Sequence, residues 1–162
     1  MTQPAVVVAF TSRCGTTEAL AHAAAVGTVN ARTLPRLRRL TDDDLPAAPD
    51  CADTLRRMQR DYVPPTEADI AGAPGLIVVP SAGMTPASEA WRPFIALLDR
   101  LASTGVLAGK AAAVIDGGDS ETVAQFSSVL AARGFAIVAA DGRDARAHGR
   151  TLGDTVLVSA RQ

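Results

Sequence analysis

This chain has almost no net charge and very little cysteine. Sixteen basic and seventeen acidic residues leave a formal charge of −1 over 162 residues. That balance provides no field for gathering a nucleic acid and no acidic face for docking a basic redox partner. The two cysteines, Cys14 and Cys51, lack the spacing of a zinc site and are too few for a secreted disulfide framework, so both are expected to be reduced. No apolar run approaches the roughly 18 uninterrupted residues of a membrane span, and the first residues carry neither a basic region nor a small-residue cleavage site. By elimination, a cytoplasmic protein acting on small molecules is expected. Hydrophobic residues make up 48% of the chain, and its length is close to the ~150 residues of one typical domain, so a single domain over residues 1–162 is expected.

Continuous rather than alternating apolar runs mark strands buried on both faces, as in a parallel sheet covered by helices. Such runs occupy residues 5–10, 75–79, 111–115 and 135–140, with a weaker one at 28–34. Helical spacing separates them. Leu20, Ala21, Ala24 and Ala25 form a narrow small-residue face that closes at Gly27 as a C-cap. Leu55, Met58 and Tyr62 form a second, ended by Pro64-Pro65. Trp91, Phe94, Ile95, Leu98 and Leu101 make the strongest stripe, and Val123, Phe126 and Leu130 another, closed by Gly134. From about Arg143 a last helix is expected, although Gly149, Gly153 and Val156-Leu157-Val158 leave a strand open. Residues 35–49, with Arg36, Arg38 and Arg39 followed by Asp42-Asp43-Asp44, read as a solvated loop. The order is strand-helix repeated five times, which right-handed crossovers wind into an open α/β sheet.

Ligands of such sheets sit beyond the carboxyl ends of the strands, where the winding reverses. With the strand order 2-1-3-4-5, the loops after the first, third and fourth strands are contiguous there. All three are built of small residues: Ser12-Arg13-Cys14-Gly15-Thr16-Thr17, Pro80-Ser81-Ala82-Gly83-Met84 and Asp116-Gly117-Gly118-Asp119. The first runs from a buried strand into a helix start, where unpaired N–H groups and the helix dipole suit a phosphate monoester; the same residues also suit an ordinary N-cap. Cys14 reads as a small loop residue, with thiol chemistry or redox sensitivity at a helix N-terminus as the alternative. A phosphatase pattern would need Arg where Leu20 stands, and a thioredoxin motif would need cysteine where Thr17 stands. His22 and His148 read as solvated or capped helical residues, and Trp91 and Phe94 as core, with Trp91 near enough to a helix start to reach the shelf. No paired carboxylates, triad order or metal-ligand cluster is present, so no catalytic side chain is assigned.

Several segments in combination resemble the flavodoxin fold and, more closely, the WrbA-like NAD(P)H:quinone oxidoreductases. Ser12-x-x-Gly15-Thr16-Thr17-Glu18 is similar to that family's phosphate loop, and Pro64-Pro65-Thr66-x-Ala68-Asp69-Ile70 to its segment before the third strand. Pro80-Ser81 stands where the family begins its isoalloxazine loop. Trp91-Arg92-Pro93-Phe94, Leu107-Ala108-Gly109-Lys110-Ala111 and Gly134-Phe135-Ala136-Ile137-Val138 resemble later segments, so nearly the whole chain is covered. The resemblance implies a flavodoxin-like three-layer sandwich, a five-stranded parallel sheet with helices on both faces. It also implies FMN as cofactor, NAD(P)H as reductant, a quinone-like small-molecule acceptor, and a homodimer or homotetramer. The FMN phosphate would lie on Ser12, Arg13, Cys14, Gly15, Thr16 and Thr17. The ring would lie on Pro80, Ser81, Ala82, Gly83 and Met84 and on Asp116, Gly117, Gly118 and Asp119. Two departures fall on the ring end. Ala82-Gly83-Met84-Thr85 replaces a run that carries an aromatic, and the fourth-strand loop is short and acidic, which would disfavour an anionic reduced flavin. The alternatives are a flavodoxin-type electron carrier, which the near-neutral charge disfavours, and a fold that has lost FMN and uses its shelf for another ligand, a biosynthetic reaction or a protein contact.

Overall fold

The apolar run at the start of the chain extends as β1 (Ala5–Phe10), with every side chain buried, because it lies in the middle of a sheet covered on both faces. The structure, a computed structural model, describes residues 2–41, 47–117, 119–139 and 144–162. After β1 come α1 (Thr16–Asn30), β2 (Leu34–Arg39), a 3-10 turn (Pro49–Cys51) and α2 (Ala52–Asp61). Then follow α3 (Glu67–Gly72), β3 (Gly75–Val79), α4 (Arg92–Ala102), β4 (Ala111–Val114), α5 (Ser120–Ala132), β5 (Ala136–Ile137) and α6 (Ala145–Ser159). The strands form one sheet in the order β2-β1-β3-β4-β5 with every pairing parallel. The expected order and layering are therefore observed.

Alternate residues of the strands face opposite layers. Val7, Ala9, Leu76, Val78, Ala112 and Val114 meet α4 and α5 through Trp91, Phe94, Leu98, Phe126 and Leu130. Val6, Val8, Phe10, Ile77, Val79 and Ala113 meet α1 and α6 through Ala21, Ala24, Leu152 and Val156. Two groups from one segment pin α3 beside this sheet. Asp69 accepts two hydrogen bonds from Arg38 on β2, at 2.9 and 3.0 Å, while Thr66 and Asp69 complete a capping box. Lys110 Nζ donates to the carbonyls of Ile70, Ala71 and Ala73, closing the other end of α3.

Several sequence expectations are corrected. The second strand occupies Leu34–Arg39, not 28–34, and part of the expected solvated loop is this strand. It pairs only with β1, and an edge strand tolerates Pro35 and three arginines that a central strand would not. Thr28 stays helical, its hydroxyl donating to Ala25 O at 2.8 Å. The chain turns out of α1 at Arg32, in the left-handed region at φ 61°, with Thr33 N–H donating to Thr28 O. Gly27 does not cap α1. A Cβ there would collide with the Arg146 carbonyl of α6, just as one on Gly149 would collide with the Ala24 carbonyl of α1. The glycines that left the last segment undecided are therefore the surface on which two helices touch backbone to backbone. β5 is shorter than residues 135–140; Ala140, like Asp42, Asp43, Asp44 and Arg143, lies outside the described residues.

Candidate functional site

The loops after β1 and β3 are tied into one unit by hydroxyl groups. Ser81 N–H donates to Thr11 Oγ1 at 2.9 Å, and Ser81 Oγ donates to Thr11 O at 2.8 Å while accepting the Thr17 hydroxyl at 3.3 Å. Thr11, Ser12 and Thr17 are buried. Ser12 Oγ accepts the Gly15 N–H at 3.1 Å, and Gly15 caps α1 at φ 92°, a conformation that favours glycine. Beneath the loop, the buried Arg39 donates from Nε to Ser12 O at 3.1 Å. A guanidinium that the sequence placed in a solvated loop thus braces the first loop through the Ser12 carbonyl, and the helix N-terminus beside it favours an anion.

The first turn of α1 also carries a carboxylate, Glu18, which would compete with an anion if unpaired. Arg57 on α2 grips it with two nitrogens at 2.6 and 2.9 Å, and Tyr62 OH donates to it at 2.6 Å. The Arg57 bonds outweigh the effect of burial and hold the Glu18 carboxyl below its ordinary range. The same cluster pushes the Tyr62 phenol up to about 12, first by burial and then through Glu18. His22 Nε2 lies 2.7 Å from Tyr62 OH. Glu18 is therefore spent inside the protein. Arg57 and Tyr62 could not be linked to it from the sequence, because α2 is joined to α1 only through the intervening strand and its connections.

Cys14 and Cys51 form a disulfide that spans 37 residues, with Cα atoms 4.9 Å apart. This overturns the expectation that both are reduced. The pairing joins the first loop to the start of α2, and Thr54 on α2 lies against Gly15. Two cysteines permit a single pairing, which the sequence alone does not distinguish from two free thiols.

At the ring end the structure separates the sequence candidates. Pro80 is buried, Ala82 and Gly83 are exposed, and Met84 is half-buried with its side chain packed on the α4 and α5 core. Asp119 caps α5, accepting from Glu121 N–H, Thr122 N–H and the Thr122 hydroxyl, and these bonds, the hydroxyl first, lower its carboxyl pKa. Asp116 Oδ2 accepts the Asp119 N–H at 2.7 Å. The acidic loop is therefore a capped turn whose Asp119 charge is taken up by a helix N-terminus. Gly117 is exposed, and Gly118 lies outside the described residues. Trp91 is fully buried against Phe94 and Phe126 and does not reach the shelf. His148, expected to be solvated or capped, is buried on α6. An open groove of about 650 Å³ runs between Thr85, Pro86 and Ala87 and the α5 residues Gln125 and Ser128. It contains none of the residues of the first loop and flanks the shelf without forming part of it. Among the described residues there is no cluster that could hold a metal ion, and no helix is long and apolar enough to cross a membrane.

No family model matches this sequence, and no curated protein matches it. Solved structures do match its fold. The two-electron reduced flavodoxin of Megasphaera elsdenii is 13% identical, with a TM-score of 0.62, covering 91% of this chain and 98% of its own. The fold is flavodoxin-like. A WrbA-like flavodoxin from Agrobacterium tumefaciens superposes at a TM-score of 0.59 with 16% identity, covering 99% of both chains. A flavodoxin from Streptococcus pneumonia TIGR4 does so at 0.62 with 17% identity, covering 98% of this chain and 99% of its own. In this flavodoxin-like fold, the loops after β1, β3 and β4 share the carboxyl edge of three adjacent strands.

Proposed function

We propose that this chain binds FMN along the shelf and acts as an NAD(P)H-dependent reductase of a quinone-like small molecule. The observation that carries the proposal is the first loop. It combines a helix N-terminus opened by a left-handed glycine, Ser12 turned into the loop, and buried Arg39 beneath it, with the competing Glu18 carboxylate neutralised by Arg57. This end fits a phosphate monoester. The ring end fits less closely: residues 80–84 and 116–119 include no aromatic side chain to stack on a flavin, while exposed Ala82, Gly83 and Gly117 leave room for one to lie against backbone.

When bound, FMN supplies the hydride and electron chemistry. The chain's own part is positional. N–H groups of residues 13, 14, 16 and 17 and the hydroxyl of Thr16 would hold the phosphate, the Gly15 N–H being donated to Ser12 Oγ. Thr17, its hydroxyl already donated to Ser81, keeps the second loop in register with the first. With no aromatic over it, the outer ring face would be open to a flat acceptor. Self-association as a dimer or tetramer is part of this reading. A second reading, in which the shelf serves another phosphorylated ligand, draws on the missing aromatic.

Titration with FMN and with riboflavin, followed by flavin fluorescence, separates the two readings. The FMN reading predicts micromolar or tighter FMN affinity with riboflavin at least tenfold weaker, because riboflavin lacks the phosphate. Absence of FMN binding removes this reading. FMN binding without NAD(P)H oxidation in the presence of quinones keeps the cofactor and removes the reductase.

A further inference from the structure

The disulfide joins the loop that would hold phosphate to a segment with few other anchors. Cys14 lies between Ser12 and the α1 cap Gly15, is exposed, and is bonded to the half-buried Cys51. Cys51 ends the 3-10 turn Pro49–Cys51, which has no buried residue. The rest of α2 is held independently by buried Leu55 and Met58 and by the Arg57 and Tyr62 bonds to Glu18. Breaking the S–S bond would therefore leave α2 in place while freeing the turn and removing the brace from one side of the loop.

We propose that the Cys14–Cys51 disulfide is a thiol–disulfide exchange site for a dithiol reductant, and that its state sets how tightly residues 12–17 hold a phosphate monoester. The inference rests on the phosphate-loop reading above. The first thiolate of the dithiol attacks one sulfur of the pair and expels the other as thiolate, giving a mixed disulfide. The second thiol of the reductant then displaces the protein sulfur. One S–S bond breaks in the protein and one forms in the reductant, and two electrons and two protons pass to Cys14 and Cys51. The oxidised loop is pre-organised, because Cys14 is fixed to Cys51, the residue that caps α2, and α2 is held by buried Leu55 and Met58. A freed loop must be ordered again at each binding event, which weakens affinity.

The experiment uses the whole folded chain with dithiothreitol as the dithiol and FMN as the probe. Dithiothreitol should expose two thiols per chain without a change in circular dichroism, raise the Kd for FMN at least tenfold, and speed amide hydrogen exchange at residues 13–17. Cys51→Ser leaves the loop sequence intact, so it should bind FMN like the reduced protein and no longer respond to dithiothreitol. Thiols that appear only in urea, or FMN affinities within twofold between the two states, overturn the inference while leaving the FMN reading standing. If FMN binds neither state, the FMN reading falls and amide exchange alone decides: faster exchange on reduction supports the switch, and unchanged exchange overturns it.

Discussion

Burial holds the His148 imidazole below its ordinary pKa of 6.5, a backbone hydrogen bond at Val138 offsetting this in part, and its Nε2 meets no partner among the described residues. The unfolded chain therefore takes up this proton first. The stability associated with neutral His148 is complete above about pH 6.5 and is lost as pH falls through the depressed folded value. His148→Leu should flatten that slope, so the urea midpoint of the wild type should drop more between pH 7.5 and 5.5 than that of the variant; equal drops would show that His148 is protonated without cost. Asp69 acts further down the scale. Two Arg38 bonds outweigh the opposing effect of burial and, with the Thr66 bonds, bring it to about 2 from 3.8. Its contribution is present above pH 3.8 and lost toward pH 2, and Asp69→Asn should remove that part of the acid limb, measured by circular dichroism. Neither environment was legible in the sequence. The spacing that places His148 on a helix does not say which face α1 covers, and Arg38, Asp69's partner, reads as part of a loop because adjacent opposite charges and prolines mark solvated segments.

At the scale of elements, the contact between α1 and α6 is made of absent side chains. Gly27 and Gly149 each face a carbonyl of the opposite helix, and Gly153 faces the Cβ of Ala31. Gly149→Ala should destabilise the protein by about 3 kcal/mol, because an inserted methyl has no free volume and must push two backbones apart. Urea unfolding measures this, and a cost below about 1 kcal/mol would mean that the helices separate easily. The helices themselves are legible as periodic stripes, but Gly27 by its sequence reads as a C-cap. A glycine within a helix signals either an end or a close neighbour, and only the neighbour's position distinguishes them. The family-like segments acquire structural reasons at this scale. Thr66 and Asp69 cap the start of α3 and Lys110 closes its end, so these residues have a folding role.

For the whole molecule, the disulfide is the longest-range covalent tie. Closing 37 residues should stabilise the protein by about 4 kcal/mol through the unfolded chain. Unfolding in urea with and without reductant measures this directly, and identical midpoints would show that the bond adds no net stability. The sequence by itself determined the central strands, the alternation with helices and the sheet order, and it pointed to the loops that share one edge. Buried runs and helical periods are local records of what each segment must cover. Only the tertiary structure decided that an arginine-rich segment is the edge strand, that Arg39 lies beneath the first loop, that Glu18 is neutralised from α2, and that Cys14 is bonded to Cys51. Each of these depends on a partner 27 or more positions away in the chain. Such pairs carry no local periodicity, and packing brings them together only after the strands and helices have taken their places.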